Sequence, residues 1–205
     1  MIGRLLDGAL ETASGATFPD ACRAIQRIWL AGGRPDLAAC AAVAPRPAQV
    51  SAHGVFAGVR GGVLLLDGAD GLVVDLGQTG AKVGRPGRAP GRVERDGKTW
   101  DALLREALGA TVPDGAFGRG FRLVLGLPAE LSEAGAGACS YFGALAFEEL
   151  ARQLPRDLPA WVTTDAELAG LAARAETSSS ADLVDGPLLA LTLGHGVGAA
   201  MVSPA

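Results

Sequence analysis

The stretch Leu72-Val73-Val74-Asp75-Leu76-Gly77-Gln78-Thr79-Gly80-Ala81-Lys82 constrains this chain more than any other. A run of apolar, β-branched residues reads as a buried strand that delivers Asp75 to its end. Gly77 and Gly80 then allow a tight turn around Gln78 and Thr79, and Lys82 follows on a returning strand. Turn amides of this kind can form an anion-binding concavity. A carboxylate beside a bound phosphate would repel it, so Asp75 makes most sense there as a holder of Mg²⁺. The residues alone equally allow a hairpin with a surface Asp and two turn glycines.

A second element of the same kind closes the chain. Leu188 to Leu193 is a strand pattern, Gly194-His195-Gly196-Val197-Gly198 a glycine turn, and Ala199 to Val202 a return strand. Between the two turns, Trp100 to Leu108 has the spacing of an amphipathic helix and Phe121 to Gly126 that of a buried strand. Phe142 to Leu154 reads as a further helix. Trp161 to Thr164 is extended, and Asp165 opens a helix over Ala166–Ala175, where it is either an N-cap or a reactive carboxylate. Before the first turn, helical spacing over Ile2–Thr12 and Ala21–Ile28 leads into a strand, Ile28-Trp29-Leu30-Ala31, that stops at Gly32-Gly33. A helix from Pro35-Asp36, a small-residue helix over Val50–Val59 and a strand or strand approach at Val63–Leu66 follow. Asp67 to Gly71 is a turn, and Gly84 to Gly97 a loop with one short strand at Arg92–Glu94.

The 205 residues, 49% hydrophobic and 20% charged, can bury a real core. A net charge of −4 and a pI near 5.2 argue against a nucleic-acid partner. Arg85, Arg88, Arg92 and Arg95 lie among Gly and Pro and read as a solvated loop. Cys22, Cys40 and Cys139 form no C-x-x-C, so neither a disulfide framework nor a zinc site is indicated, and a reduced cytoplasmic setting is expected. His53 and His195 lack metal-ligand spacing. Ser132 and Ser140 lack a nucleophile-elbow context. The first ten residues do not read as a signal peptide, and no apolar run is long enough to cross a bilayer.

D-x-G-x-T-x-x-K over Asp75–Lys82 resembles the first phosphate loop of the sugar kinase, heat-shock protein and actin superfamily, in particular its ROK (repressor, open reading frame, kinase) branch. Gly194–Gly198 resembles the second phosphate loop of those kinases, and Thr164-Asp165-Ala166 their cleft aspartate at a helix start. The strand ending in Gly32-Gly33 resembles the adenosine-binding element. The resemblance implies an α/β fold of two small actin-like, ribonuclease H-like lobes, each a mixed sheet flanked by helices, with a cleft between them. It further implies ATP and Mg²⁺ as cofactors, Asp75 toward the metal, and Gly77, Gln78, Thr79, Gly80, Lys82, Gly194, His195, Gly196 and Gly198 around the phosphates. Gly32 and Gly33 would border adenosine, and Asp165 would be the base that activates a sugar hydroxyl.

The order departs from that family. Here the adenosine-side segment (1–66) comes first, the first phosphate loop and cleft aspartate lie in 72–180, and the second phosphate hairpin (187–205) comes last. A circular permutation restores the usual order, with Asp67–Gly71 as the new joint and 187–205 completing the lobe begun by 1–66. The alternative is an unrelated N-terminal segment on a shortened body. The family's zinc cluster, its glutamate-containing sugar segment and the amides flanking its aspartate have no counterpart. The implied activity is phosphoryl transfer from ATP to a hydroxyl of a sugar or similar small molecule. The alternative is a non-catalytic nucleotide- or partner-binding module. No membrane partner is expected, and the small lobes admit a homodimer.

Overall fold

The computed structural model describes residues 24–112, 117, 120–129, 136–139, 142–146, 154, 158–178 and 186–202. Its strands form two mixed sheets that lie on either side of a pair of helices. The first sheet contains β1 (Arg27–Gly32), β2 (Ala48–Val50), β10 (Leu188–Leu193) and β11 (Val197–Val202), in the order β11-β10-β1-β2. Strands from both ends of the described chain therefore share one sheet: β1 runs parallel to β10 and β2, and β11 folds back antiparallel on β10. The second sheet contains β3 (Gly71–Gly77), β4 (Gly80–Gly84), β5 (Gly91–Glu94), β6 (Arg122–Leu127) and β9 (Ala160–Thr164), in the order β5-β4-β3-β6-β9. A separate hairpin joins β7 (Ala136–Cys139) to β8 (Gly143–Ala146).

The strands β1, β3, β6 and β10 are apolar on both faces because both faces are covered. On the outer face of the first sheet, Ile28, Leu30, Leu189, Leu191 and Leu193 meet α1 (Leu37–Ala42) through Leu37. On the outer face of the second, Leu72, Val74, Leu76, Leu123 and Leu125 meet α3 (Trp100–Thr111) through Leu103, Leu104 and Ala107. The inner faces share α2 (Ala57–Leu65) and α4 (Asp165–Ser178). Trp29, Ala31 and Ala190 close on Ala169, Ala172 and Ala173, while Val73 and Val124 close on Val59 and Leu168. Each fully buried Leu or Val in these layers contributes roughly 1.5–3 kcal/mol. Glu176, near the end of α4, accepts hydrogen bonds from Trp29 Nε1 at 3.0 Å and Ser51 Oγ at 2.8 Å, which pins that end to the first sheet.

Three expected elements differ. Val63–Leu66 is not a strand; Val63 to Leu65 belong to α2. Gly61 and Gly62 lie inside that helix, where their neighbours leave no room for side chains. A Cβ on Gly61 would sit 1.7 Å from the Leu168 carbonyl oxygen, and one on Gly62 2.4 Å from Val73 Cγ1. Val50–Val59 is not one helix: β2 ends at Val50, a 3₁₀ turn spans Gly54–Phe56, and α2 begins at Ala57. The start of the Phe142–Leu154 helix is replaced by β8, because Gly143, at φ +72°, turns the chain back and Ala146 pairs with Ala136. Most of 147–154 lies outside the described residues, as do the helix read over Ile2–Thr12 and the first three residues of that over Ala21–Ile28, of which Ala24 is helical while Arg27 and Ile28 already belong to β1. Among the described residues no helix is long and apolar enough to cross a membrane.

Candidate functional site

Strand periodicity decides where Asp75 points. Val73 faces α2, and Asp75, two residues on, shares that face and enters the layer between the sheets. There it is 3% exposed. Glycine makes the space: a Cβ on Gly58 of α2 would lie 2.7 Å from Asp75 Oδ2, and one on Gly126 of β6 3.3 Å from Oδ1. Lys82 stands directly opposite Asp75 in the β3–β4 register, and its Nζ donates to Oδ2 at 3.3 Å. The other oxygen, Oδ1, is buried and has no hydrogen-bond partner among the described residues. Burial pushes the Asp75 carboxyl above its usual range, and the Lys82 charge opposes that rise.

Asp165, the first residue of α4, belongs to the same group of charges. Burial, reinforced by the negative charge of Asp75, pushes it up to about 7, against the pull of Lys82 and of the Ala166 and Asp165 amides. It does not cap its helix. Thr164 Oγ1 accepts the Glu167 amide at 3.1 Å, and Glu167 Oε2 accepts the Thr164 amide at 3.0 Å, a reciprocal capping box. Asp165 is thereby left with its carboxylate toward the glycine hairpin of the first sheet. A Cβ on Gly198 would lie 3.5 Å from Asp165 Oδ1, 3.1 Å from Ala166 Cβ and 2.4 Å from Thr192 Oγ1.

The structure thus brings together Asp75, Lys82, Asp165 and Gly198, from both sheets and the start of α4. Gly32 and Gly33 end β1 beside the point where β10 runs into the Gly194 turn, since Gly32 pairs with Leu193. Gly32 is held there by close strand contact: its φ is +129°, and a Cβ would meet the Leu193 carbonyl oxygen at 2.0 Å. Gly194, His195 and Gly196 are exposed at the turn, and a Cβ on either glycine would touch nothing within 4 Å. Gln78 and Thr79 form the exposed tip between Gly77 and Gly80. They line an open cavity of about 490 Å³ with Arg92, Arg95 and Gly97, on the β5 side of the hairpin. Their carbonyls are held by Arg95, whose Nη1 donates to Gln78 O at 3.4 Å and whose amide donates to Thr79 O at 3.1 Å.

A divalent cation fits Asp75 in one respect: its unpartnered, buried Oδ1 is an acceptor with nothing to accept. Among the described residues no group of three or more His, Cys, Asp or Glu is placed to hold a metal. An ion here would draw most of its ligands from water and phosphate, as Mg²⁺ commonly does. Residue reasoning missed Gly58 and Gly126, whose importance lies in what they leave empty. It also passed over Glu167 as a cap, although T-x-x-E at 164–167 is a legible capping signal. No protein-family model matches the chain, and no curated protein matches it.

Proposed function

We propose that this chain is an ATP- and Mg²⁺-dependent phosphotransferase acting on a hydroxyl of a sugar or similar small molecule, its two sheets serving as the actin-like lobes of that fold. The observation that carries the proposal is the charge cluster of Asp75, Lys82 and Asp165, whose Asp165 lies against Gly198 of the second hairpin, far away in sequence from the first. Asp165 is the base: its carboxylate takes the acceptor's proton while that oxygen bonds to the γ-phosphorus and the bond to the bridging oxygen of ADP breaks. A value near 7 suits such a base at neutral pH. Mg²⁺, held through Asp75, would supply charge neutralisation on the phosphates. The open glycine backbone at Gly194 and Gly196 and the turn glycines Gly77 and Gly80 would border the phosphates, with Gly32 and Gly33 beside adenosine.

A non-catalytic nucleotide-binding module is the second reading. Thr164 and Glu167, the neighbours of Asp165, are spent on capping, so few polar groups remain there for an acceptor. Thermal melts with Mg-ATP, then product analysis over a panel of sugars and polyols, separate the two, because a ligand that binds the folded state raises its melting temperature. The kinase reading expects stabilisation lost with EDTA and phosphorylated product from at least one acceptor. Stabilisation without any product favours the module, and no response to nucleotide removes both.

A further inference from the structure

We infer that the Lys82 ammonium is a built-in stand-in for the divalent cation, holding Asp75 while nucleotide is absent and moving onto the triphosphate when metal and nucleotide enter together. This rests on the phosphotransferase reading above. A buried carboxylate needs a cation, and Lys82 supplies it at Oδ2 while Oδ1 stays open. The lysine is positioned to leave, because its side chain is 22% exposed where that of Asp75 is 4%. Its ammonium lies over the hairpin backbone, where a Cβ on Gly77 would come within 3.1 Å of Nζ.

Residue choice supports the same role. Of the 18 basic residues only Lys82 and Lys98 are lysines; everywhere else the chain uses arginine. A guanidinium is broad and planar, whereas an ammonium is a compact point charge closer to a metal ion. A second cation brought to Oδ1 would be repelled by Lys82 across one carboxylate. Bare metal should therefore bind weakly. Phosphates offer Lys82 a new partner, so metal and nucleotide should strengthen each other's binding, by reciprocal linkage.

The test is Mn²⁺ binding followed by the electron paramagnetic resonance of the free ion, with and without a non-hydrolysable ATP analogue. Lys82→Met should bind bare Mn²⁺ about tenfold more tightly than wild type, and the analogue should tighten Mn²⁺ binding by about tenfold or more in wild type but much less in the variant. In case Lys82→Met does not fold, wild type labelled with ¹³C-lysine gives an independent reading from two side chains. Mg²⁺ alone should leave the Lys82 signal in place, Mg²⁺ with the analogue should shift it, and Lys98 should stay still. Bare-metal affinity unchanged in Lys82→Met, or a Lys82 signal indifferent to an analogue that does raise the melting temperature, overturns the inference and leaves the phosphotransferase reading standing. Binding of neither Mn²⁺ nor analogue to wild type overturns both.

Discussion

The β3–β4 hairpin and the β10–β11 hairpin share a plan, strand, glycine turn, returning strand, yet they meet their surroundings in opposite ways. The first turns its charge inward: Asp75 is buried against Gly58 and Gly126, and Lys82 reaches across to it. Its Gly80 is demanded by a protein neighbour, since a Cβ there would lie 2.2 Å from the Val93 carbonyl oxygen. The second keeps Gly194 and Gly196 in the open, with no neighbour and no left-handed φ to require glycine, and only Gly198 is closed in. The difference teaches that one motif can be kept by two pressures. In the first hairpin the fold accounts for glycine at Gly80; in the second it does so at Gly198 alone, and the proposed nucleotide would give the other two their reason.

The comparison breaks hardest at Asp165, where the two hairpins meet. Asp165→Asn should lower phosphoryl transfer by about 10²- to 10⁴-fold, the usual contribution of a general base, measured as product formed per minute. The same change should stabilise the protein above neutral pH. A carboxyl raised from 3.8 to about 7 favours the folded state fully below pH 4, and that advantage is lost as pH climbs through 7. Wild type should therefore lose roughly 2–4 kcal/mol between pH 4 and pH 8 from this group, its partial exposure tempering the figure. Urea melts at several pH values should show that slope flattened in Asp165→Asn. A variant with wild-type turnover and an unchanged slope would remove Asp165 from the site altogether.

A paired substitution within the second hairpin sharpens the contrast. Gly198→Val drives atoms into Thr192, Ala166 and the Asp165 carboxylate, and should cost about 1–3 kcal/mol of stability. Gly196→Ala has open space around it and should melt like wild type. If the turn cradles phosphate, Gly196→Ala should still weaken nucleotide binding by about tenfold, or ~1.4 kcal/mol, in a titration with Mg-ATP. Equal nucleotide affinity would mean that the open turn serves no ligand.

The α/β class was legible, because β3, β6 and β10 are short continuous apolar runs bounded by turn residues and α4 is a longer helical segment between two of them. The failures fall where small residues blur it. Val63–Leu66 reads as a strand or its approach, yet Val63 to Leu65 continue α2, whose Gly61 and Gly62 lie where α2, α4 and β3 come too close for side chains, a fact that belongs to tertiary structure. Ala136–Ala146 could adopt either period, and Gly143 settles it as a hairpin. Asp75, Lys82 and Asp165 could each be singled out from the residues around them. Their meeting could not, since it depends on Gly58 and Gly126 leaving a space that no sequence pattern announces.

The smallest effect tests whether Asp165 is free to act. Thr164 and Glu167 satisfy the amides at the start of α4, with a further hydrogen bond from Thr163 Oγ1 to Glu167. Burial pushes Glu167 up, but these bonds outweigh it and hold its carboxyl below the usual 4.5. Its contribution is therefore present above that value and lost as pH falls through the lowered one. Glu167→Ala should cost about 0.5–1 kcal/mol at pH 7 and progressively less as pH falls below 4.5, read from urea midpoints. With the box gone the Thr164 amide loses its acceptor and the start of α4 loosens, and an Asp165 carboxylate that swings further onto the Ala166 and Asp165 amides already pulling on it is a weaker base. Turnover should then fall, and its pH midpoint should move below 7, since amide donors favour the ionised form. A stability loss with both turnover and midpoint unchanged would show that the cap only holds the helix and has no part in aiming Asp165.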